Sequence, residues 1–284
     1  MQRSVKVPLI AIMALLIIAG IVWYAVVLED RNGTLAVSFL DVGQGDAIFI
    51  DAPSGRQVLI DGGPGSIVVR ELSAVMPWYD RTIDMVIPTH PDLDHIGGLI
   101  DVLARYRVAG ALESSVKGDT SEWEEFQRAL TAEGAPRTLA MRGQIVDLGK
   151  GAYLEVLFPD RSVPDVETNA GCIVARLVYG DTSFMFSCDA PQQIENYLVR
   201  LDAEDLRSNV LKAGHHGSRT SSGALFIGYV SPEYAVISRG CDNRYGHPHE
   251  EVMDLFKRFE IPTFDTCTDG TVTFVSDGQT VMRK

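Results

Sequence analysis

The feature that most constrains the fold is residues 89–98, where four potential metal ligands fall within six positions. They are His90, Asp92, Asp94 and His95. The apolar run before them, residues 83–87, predicts a buried strand, and the apolar spacing after them predicts a helix. Ligands commonly bind at the carboxyl ends of strands in α/β folds. The alternative, an Asp that only caps the helix beside two incidental histidines, explains one residue of the cluster and not the rest.

All six histidines of the chain lie in three short loops, each of which follows a predicted strand. The pairs are His90 and His95, His215 and His216, and His247 and His249. Because strand ends at one edge of a sheet lie side by side, we expect these loops to meet, together with Asp189 at the end of another strand. They offer ligands for one or two divalent ions. The set leans to oxygen, so zinc and manganese both remain open.

A divalent ion in such a site lowers the pKa of a bound water and polarises a phosphoryl or carbonyl oxygen. This chemistry predicts a metal-dependent hydrolase. Asp94 either binds the metal or holds the attacking water, and the sequence leaves both roles open.

The first thirty residues differ in composition from the rest of the chain. Residues 7–28 are uncharged and apolar, about the length that crosses a bilayer as a helix. Arg3 and Lys6 precede this run and acidic residues follow it, so the positive-inside rule places the N-terminus in the cytoplasm. We expect residues 1–30 to be a cytoplasmic stub and transmembrane anchor and residues 31–284 to be a hydrolase domain outside the cytoplasm. A cleaved signal peptide is the alternative, although its apolar region is usually shorter.

Net charge limits the partners that the chain can bind, and cysteine spacing limits the metal sites and disulfides that it can form. The net charge of −13 does not attract polyanions through the overall field, so nucleic acid would have to be bound by local contacts or by metal. The four cysteines are too widely spaced for a zinc ribbon. An oxidising compartment permits one disulfide, for which Cys241 and Cys267 are the favoured pair, and buried free thiols are an equal alternative.

Predicted strands and helices are mixed throughout residues 33–284, which indicates one layered α/β domain. Residues 173–179 and 182–187 flank Gly180 and Asp181, a pattern that predicts a β-hairpin. Ser121 is predicted to cap a helix, with Glu124 completing a capping box.

Residues 89–98, with the pattern Thr-His-x-Asp-x-Asp-His-x-Gly-Gly, resemble the metal motif of the metallo-β-lactamase fold in ComEC-type competence proteins. Four further segments resemble that family's pattern in the same order. They are residues 41–47, 61–63, 211–218 and 243–248. The resemblance covers nearly the whole body of the chain. It implies a four-layer αβ/βα sandwich, metal at the sheet edge, and hydrolysis of phosphodiesters such as DNA.

The same resemblance implies a metal shell. Its members are His90, Asp92, Asp94, His95, Asp189 and one of His215 and His216. Asn169 takes the place where lactamases of this fold carry another histidine. Asp92 replaces the second histidine of the wider superfamily, which favours oxygen-preferring metals and argues against lactam hydrolysis. Cys188 stands where the family usually has glycine, close enough to the site to be a ligand.

A second group of residues is predicted to act on the substrate. They are Asn169, Lys212, Ser218, Arg219, Tyr245 and His247. Ser218 and Arg219 are candidate phosphate binders, and Lys212 is a candidate charge partner. His247 is a candidate general acid or phosphate ligand. The alternatives are that Ser218 caps a helix and that residues 245–248 form a turn before one.

We therefore expect a membrane-anchored phosphodiesterase or nuclease that acts on single-stranded DNA or another phosphodiester, linked to DNA uptake and to a channel protein. The alternatives are a hydrolase of another ester, thioester or lactam, and a non-catalytic partner of a DNA-uptake channel. ComEC proteins embed this domain in a many-helix channel, whereas this chain has one predicted span. Transport by this chain alone is not expected.

Overall fold

The computed structural model describes residues 6–29, 31 and 33–284, without the side chains of residues 6–10 and 25–29. The elements of the first half are, in chain order, α1 (Lys6–Glu29), β1 (Leu35–Phe39), β2 (Ile48–Asp51), β3 (Gln57–Ile60), α2 (Ile67–Val75), β4 (Thr82–Ile83), β5 (Met85–Ile87), α3 (Leu93–Leu103), β6 (Arg107–Val108), β7 (Ala111–Glu113), α4 (Ser121–Glu133) and β8 (Arg137–Leu139).

The second half continues with β9 (Ile145–Gly149), β10 (Ala152–Phe158), β11 (Val174–Tyr179), β12 (Thr182–Phe186), α5 (Gln192–Asp202), β13 (Val210–Lys212), α6 (Ala224–Val230), β14 (Tyr234–Ile237), α7 (Glu250–Arg258), β15 (Thr263–Asp265), α8 (Thr266–Asp269), β16 (Val272–Ser276) and β17 (Val281–Arg283).

These strands form two large sheets and one small one. The first has the order β17-β16-β1-β2-β3-β5-β7-β8, the second has the order β15-β14-β13-β12-β11-β10-β9, and β4 pairs with β6. Strands β3, β5, β7 and β8 run parallel, as do β12 to β15. The remaining pairs of the two large sheets are antiparallel. Each sheet therefore has a parallel half whose strands end at a common edge.

The side-chain pattern of the strands explains the layering. Ile50 and Phe186 belong to the apolar core between the two sheets, whereas their neighbours Phe49 and Met185 face outwards. Successive strand side chains point to opposite faces, so a strand that is apolar throughout needs a partner on both sides. Helices α2, α3 and α4 cover the first sheet, and α5, α6 and α7 cover the second. The result is the predicted layering of two sheets between two layers of helices.

Two local predictions are wrong. Residues 83–87 are not one strand, because the chain breaks at Asp84, whose carboxylate accepts a hydrogen bond from the Gln57 backbone at 2.8 Å. Ser121 is not the cap of α4, because Thr120 occupies that position and its hydroxyl accepts from the Trp123 backbone N–H at 3.1 Å. The predicted hairpin is confirmed, since β11 and β12 pair antiparallel.

The predicted transmembrane helix has no support from the structure. Helix α1 covers Lys6–Glu29, and side chains are described for residues 11–24 of it. Among the described residues, no helix has both the length and the apolar character that a membrane crossing requires.

Candidate metal centre

The four ligands of the opening motif lie where β5 ends and α3 begins. Asp92 occupies the N-cap position of α3, but its side chain accepts no capping hydrogen bond. Its carboxylate lies 3.5 Å from Nε2 of His90 instead. The simple helix-cap interpretation of this motif therefore fails for Asp92. The rings of His90 and His95 are adjacent, with centroids 4.0 Å apart.

The second parallel sheet edge brings its own ligands to the same place. Asp189 follows β12 and His216 follows β13. Nε2 of His216 lies 3.3 Å from a carboxylate oxygen of Asp94 and 3.3 Å from one of Asp189. Nε2 of His95 lies 3.4 Å from the same oxygen of Asp189. Four ligands from both halves of the chain thus converge on a space of a few ångströms.

The convergent nitrogens are the clearest sign that this centre takes a cation. Nε2 of His90, His95 and His216 is buried and has no hydrogen-bond partner among the described residues. Buried polar atoms are almost always paired, so three orphan nitrogens beside carboxylates need an explanation. A divalent ion supplies it, because neutral imidazole Nε2 and carboxylate oxygen are its common protein ligands. The residues present therefore fit a divalent metal.

Each histidine is held by its other ring nitrogen, which fixes the direction of Nε2. Nδ1 of His95 lies 2.7 Å from the Asp61 carboxylate, and Nδ1 of His216 lies 2.9 Å from the Ser238 carbonyl. Nδ1 of His90 lies 3.1 Å from the Thr89 hydroxyl. Such outer contacts orient metal-binding histidines and select their tautomer.

Cys188 adds a soft atom behind this cluster. Its sulfur lies 3.4 Å from Nδ1 of His90, on the side away from the unpaired nitrogen. Cys188 is buried, and burial raises the pKa of its thiol well above the usual value. Cys188, His90 and His95 bring ligand atoms within 4.8 Å of one another, so Cys188 stays a candidate ligand as well as a support for His90.

Lys212 lies in the interior and not at the surface where a substrate would arrive. It is completely buried, and its ammonium group pairs with the carboxylate of Asp46 and lies 3.6 Å from that of Asp189. Burial alone would lower the pKa of Lys212, but the two carboxylates outweigh it and raise the pKa. Lys212 is thus placed to hold Asp46 and Asp189 in position, and its catalytic role stays a prediction.

The acidic ligands are ionised at neutral pH. Burial would raise the pKa of Asp189, but His216, His95 and Lys212 outweigh burial and hold it well below the usual value. Burial would also raise the pKa of Asp94, but the contact with His216 and the charge of His95 outweigh it and lower the pKa to about 2. Both carboxylates are thus ready to bind a cation without first losing a proton.

Several residues of the site adopt left-handed backbone conformations although they are not glycine. Asp61, Cys188, His215 and His216 have φ values of 57°, 51°, 48° and 55°. This conformation costs roughly 1–3 kcal/mol for such residues, and it persists where the surrounding structure requires it. Here this conformation directs side chains at the ends of strands towards the metal centre.

The two neighbouring histidines His215 and His216 are not equivalent. His216 is buried in the cluster, whereas the His215 side chain is 28% exposed, with its Nε2 3.6 Å from Asp189. His215 lies next to His247, with ring centroids 5.6 Å apart. The pKa of His247 is lowered to about 4 by burial and by the charges of His216 and His215. His247 is thus neutral at pH 7 and suited to hydrogen bonding rather than to acting as a cationic acid.

The remaining predicted residues surround this centre at different depths. Ser218 is buried and its hydroxyl lies 3.0 Å from that of Thr220, while Arg219 is exposed and lies 3.7 Å from Glu251. Asn169 begins a short 3-10 turn, and its buried side-chain oxygen has no partner in the described part of the chain. Burial would raise the pKa of Asp92, but His90 and, more weakly, Thr168 beside Asn169 lower it, so this turn lies against the metal motif.

Two acidic residues of the site, Asp46 and Asp61, were not predicted as site residues, although both lie in segments that resemble the family's pattern. Asp46 lies just before β2 and Asp61 directly after β3, and both are buried. Gly45 allows the first loop to reach α3, because a Cβ there would lie 2.1 Å from the Asp94 carbonyl oxygen. The signal in the sequence that could have identified both residues is an acidic residue that lies next to a glycine and beside a strand.

Comparison with known proteins agrees with this geometry. A sequence profile of the Metallo-beta-lactamase superfamily matches residues 40–240. The chain belongs to this superfamily. It is 30% identical over 262 residues to ComE operon protein 3 of Bacillus subtilis, covering 84% of this chain and 32% of that protein. It is 31% identical over 265 residues to the competence protein ComA of Neisseria gonorrhoeae, covering 92% of this chain and 35% of that protein. The chain thus spans about a third of the length of these relatives.

Solved structures share the fold at low sequence identity. The metallo-beta-lactamase fold protein YhfI from Bacillus subtilis has a TM-score of 0.57 and 13% identity, covering 85% of this chain and 99% of its own. CmlA, a diiron beta-hydroxylase from Streptomyces venezuelae, has a TM-score of 0.56 and 13% identity, covering 88% of this chain and 54% of its own. Membership in the superfamily agrees with the ligand set described above, which could hold a divalent metal ion.

Proposed function

We propose that this hydrolase is a phosphodiesterase or nuclease that acts on single-stranded DNA. The observation that carries the proposal is the convergence of the unpaired Nε2 atoms of His90, His95 and His216 on the carboxylates of Asp94 and Asp189. The substrate class is supported by Asp92 in place of a histidine, since added oxygen ligands favour metals that handle phosphoryl groups.

The metal shell would consist of His90, Asp92, His95, Asp189 and His216, with Asp94 at the open side. A bound divalent ion supplies a water of lowered pKa and polarises a phosphoryl oxygen. Asp94 is ionised and its side chain is 32% exposed, so it is suited to orient the attacking water and to accept its proton. His215 and His247 form the opposite wall, where a neutral His247 hydrogen-bonds a phosphate oxygen.

The test uses the full chain loaded with manganese or with zinc. Single-stranded DNA, a chromogenic phosphodiester and a cephalosporin are offered in parallel. We expect cleavage of the two phosphodiesters and a loss of at least about 100-fold in kcat for Asp94→Ala. Asp101→Ala, at an exposed position of α3, is the matched control and keeps wild-type activity. Cephalosporin turnover without diesterase activity would favour the lactamase alternative, and failure to bind metal would favour a non-catalytic partner of a channel.

We also propose a role in DNA uptake, next to a channel protein. The support is the similarity to ComE operon protein 3 and ComA, of whose length this chain spans about a third. Cross-linking in cells that carry such a channel checks this, and a chain recovered without any channel protein contradicts it.

We further propose that residues 1–30 anchor the protein and that residues 31–284 form a domain outside the cytoplasm. The support is the uncharged run of residues 7–28 with basic residues before it and acidic residues after it. The disulfide between Cys241 and Cys267 is typical of an oxidising compartment. Protease added to spheroplasts should digest the domain, and complete protection would contradict its placement.

A further inference from the structure

A cavity of about 450 Å³ opens directly beside Asp94, at the exposed side of the metal centre. Its lining comes from four separate parts of the chain. It includes Gln44, Leu93, Asp94, Asp242, Arg244 and Tyr245. The volume is in the range of small-molecule sites. Asp94 belongs to both the cavity and the metal centre. The cavity therefore receives the part of the substrate that is attached to the hydrolysed group.

The cavity offers a flat aromatic surface. Tyr245 is 50% exposed, and its ring is nearly parallel to that of His247, with an interplanar angle of 22° and centroids 5.6 Å apart. The Arg244 guanidinium lies 5.2 Å from the centre of the Tyr245 ring and contacts its hydroxyl. These contacts hold the tyrosine in one orientation while leaving half of it accessible. Rigid exposed aromatic rings next to arginine are the surfaces on which nucleic-acid bases stack.

Gln44 provides a hydrogen-bond donor that has no partner inside the protein. Its side-chain oxygen accepts from the Gly240 backbone N–H at 3.2 Å, which fixes the orientation of the amide. Its side-chain nitrogen is buried and makes no hydrogen bond to any described residue. A buried donor without a partner is costly, so a ligand atom that accepts a hydrogen bond would be favoured here.

The charges around the cavity disfavour a phosphate as its occupant. Asp94 and Asp242 line it together with Arg244, so its wall keeps one net negative charge, which repels a phosphate or a carboxylate. The apolar side chain of Leu93, which is 48% exposed, adds to the preference for a neutral group. The occupant is therefore neutral and planar, and it carries hydrogen-bond acceptors. Nucleobases have these properties, and phosphate groups do not.

We propose that this cavity, with Tyr245 as its stacking surface and Gln44 as its donor, binds one unpaired nucleobase next to the phosphodiester at the metal centre. The inference rests on the proposed phosphodiesterase function and specifies its substrate. A base within a duplex is stacked on both faces and paired at its edge, so it cannot enter. The cavity thus selects single strands.

The test compares two fluorescent oligonucleotides of equal length and charge, one of thymidine and one of abasic tetrahydrofuran units, on the full manganese-loaded chain. Binding is measured by fluorescence anisotropy before cleavage begins, and cleavage is then followed on gels. We expect the thymidine strand to bind about 5- to 150-fold more tightly, as for one stacked base. Tyr245→Ala should remove this difference and Tyr245→Phe should keep it. Trp78→Ala removes an exposed aromatic outside the cavity and should change nothing.

The two proposals fail in different ways. Equal affinity for both strands, or an undiminished base preference in Tyr245→Ala, overturns the nucleobase site even if both strands are cut. Failure of the thymidine strand to bind overturns it as well. A base preference that depends on Tyr245, without any cleavage, supports the site and refutes the phosphodiesterase function.

Discussion

At the scale of single residues, the centre depends on what stands behind each ligand. His95 reaches Asp189 with Nε2 only because its Nδ1 is fixed by Asp61, and Asp61 itself also accepts from the Thr89 hydroxyl and backbone N–H. One buried carboxylate therefore sets both the direction of a ligand and the path of the loop that carries it. Residues of this kind contribute to metal affinity without touching the metal.

We expect Asp61→Asn to lower metal affinity about 10- to 100-fold, the usual effect of losing such an outer contact. The amide that replaces the carboxylate carries no negative charge. It therefore accepts the two hydrogen bonds from Thr89 and the one from the His95 ring less strongly. Metal content after dialysis, with titration against a chelator, measures the change. Asp101→Asn, on the surface of α3, should retain wild-type affinity. An Asp61→Asn protein with unchanged affinity would show that His95 is oriented by other contacts.

The sequence predicted most of the candidate metal ligands but not how deeply each of them is buried. Histidines and acids at strand ends predicted His90, Asp94, His95 and Asp189, because strand direction alone brings such residues to one edge. The sequence left His215 and His216 open, since only the backbone turn at these residues decides which ring points inwards. The burial of Lys212 could not be predicted, because a lysine inside a protein is rare and its burial depends on an acid far away in sequence.

At the scale of elements, α3 is held against the loop that follows β3 by glycines in contact. A Cβ on Gly98 would lie 2.0 Å from the Gly62 carbonyl oxygen, so no larger residue fits without displacing backbone. The Gly62 backbone N–H in turn donates to the His95 carbonyl at 2.7 Å. The close approach of helix and loop therefore fixes the position of the metal motif.

We expect Gly98→Ala to destabilise the protein by about 1–3 kcal/mol, the range for overpacking, and to reduce metal content in parallel. Gly110→Ala is the matched control, because a Cβ there would meet its nearest atom at an ordinary 3.7 Å. Denaturant titration of both variants measures the free energy of unfolding. Equal stability of the two would mean that α3 can shift without cost.

A buried glutamate on α5 shapes the loop after His216. Glu195 is 1% exposed and accepts backbone hydrogen bonds from Ser222 at 2.6 Å and Gly223 at 2.8 Å. Burial raises its pKa to about 7, although these two hydrogen bonds act in the opposite direction. A raised pKa in the folded state means that the protonated form is the better tolerated one. The loop is therefore most stable when Glu195 is neutral.

Because the folded pKa lies above the unfolded value of 4.5, the contribution of Glu195 to stability is complete below pH 4.5 and is lost as the pH rises through about 7. The full loss is about 3 kcal/mol for a shift of this size. We expect Glu195→Gln to gain stability relative to wild type as the pH rises from 5 to 8. Denaturation of both proteins in chelator, at several pH values, gives the difference. A difference that stays constant with pH would contradict this assignment.

Long apolar elements were predictable and short ones were not. Strands such as β1, β11 and β12 have enough apolar residues to be identified from pattern alone. Strands β6 and β7 have two or three residues, and α6 follows a loop rich in serine, so no periodic pattern develops. Their existence depends on pairing with neighbours that are distant in sequence, which local patterns do not contain.

At the scale of the whole molecule, the two sheets contribute equally to one site. Strands β3 and β5 deliver Asp61 and His90, and β12 and β13 deliver Asp189 and His216. Neither sheet holds a complete set of ligands, so the metal centre forms only when the two sheets pack together. The layered architecture could be predicted from the mixture of elements, but the strand order could not, because it depends on long-range pairing.

The disulfide between Cys241 and Cys267 connects the loop that carries Tyr245 to α8, across a sequence separation of 26 residues. We expect replacement of both cysteines by serine to lower the free energy of unfolding by about 3 kcal/mol, as for a loop of this length. The same change should weaken the base preference while leaving metal content unchanged. Cys172→Ala, at a buried free thiol, serves as the control for loss of a sulfur. Unchanged base preference would show that the loop is ordered without the bridge.

If the domain lies outside the cytoplasm, as proposed, the position of this bridge gives the protein an order of maturation. The metal ligands lie on loops that the two sheets hold, and none of them is a bridged cysteine. A newly made chain in a reducing compartment can therefore acquire its metal while the wall of the substrate cavity is still loose. Selection of single strands would then be completed by oxidation after export. In a cell, the protein would therefore bind the surrounding DNA poorly until it has been exported and oxidised.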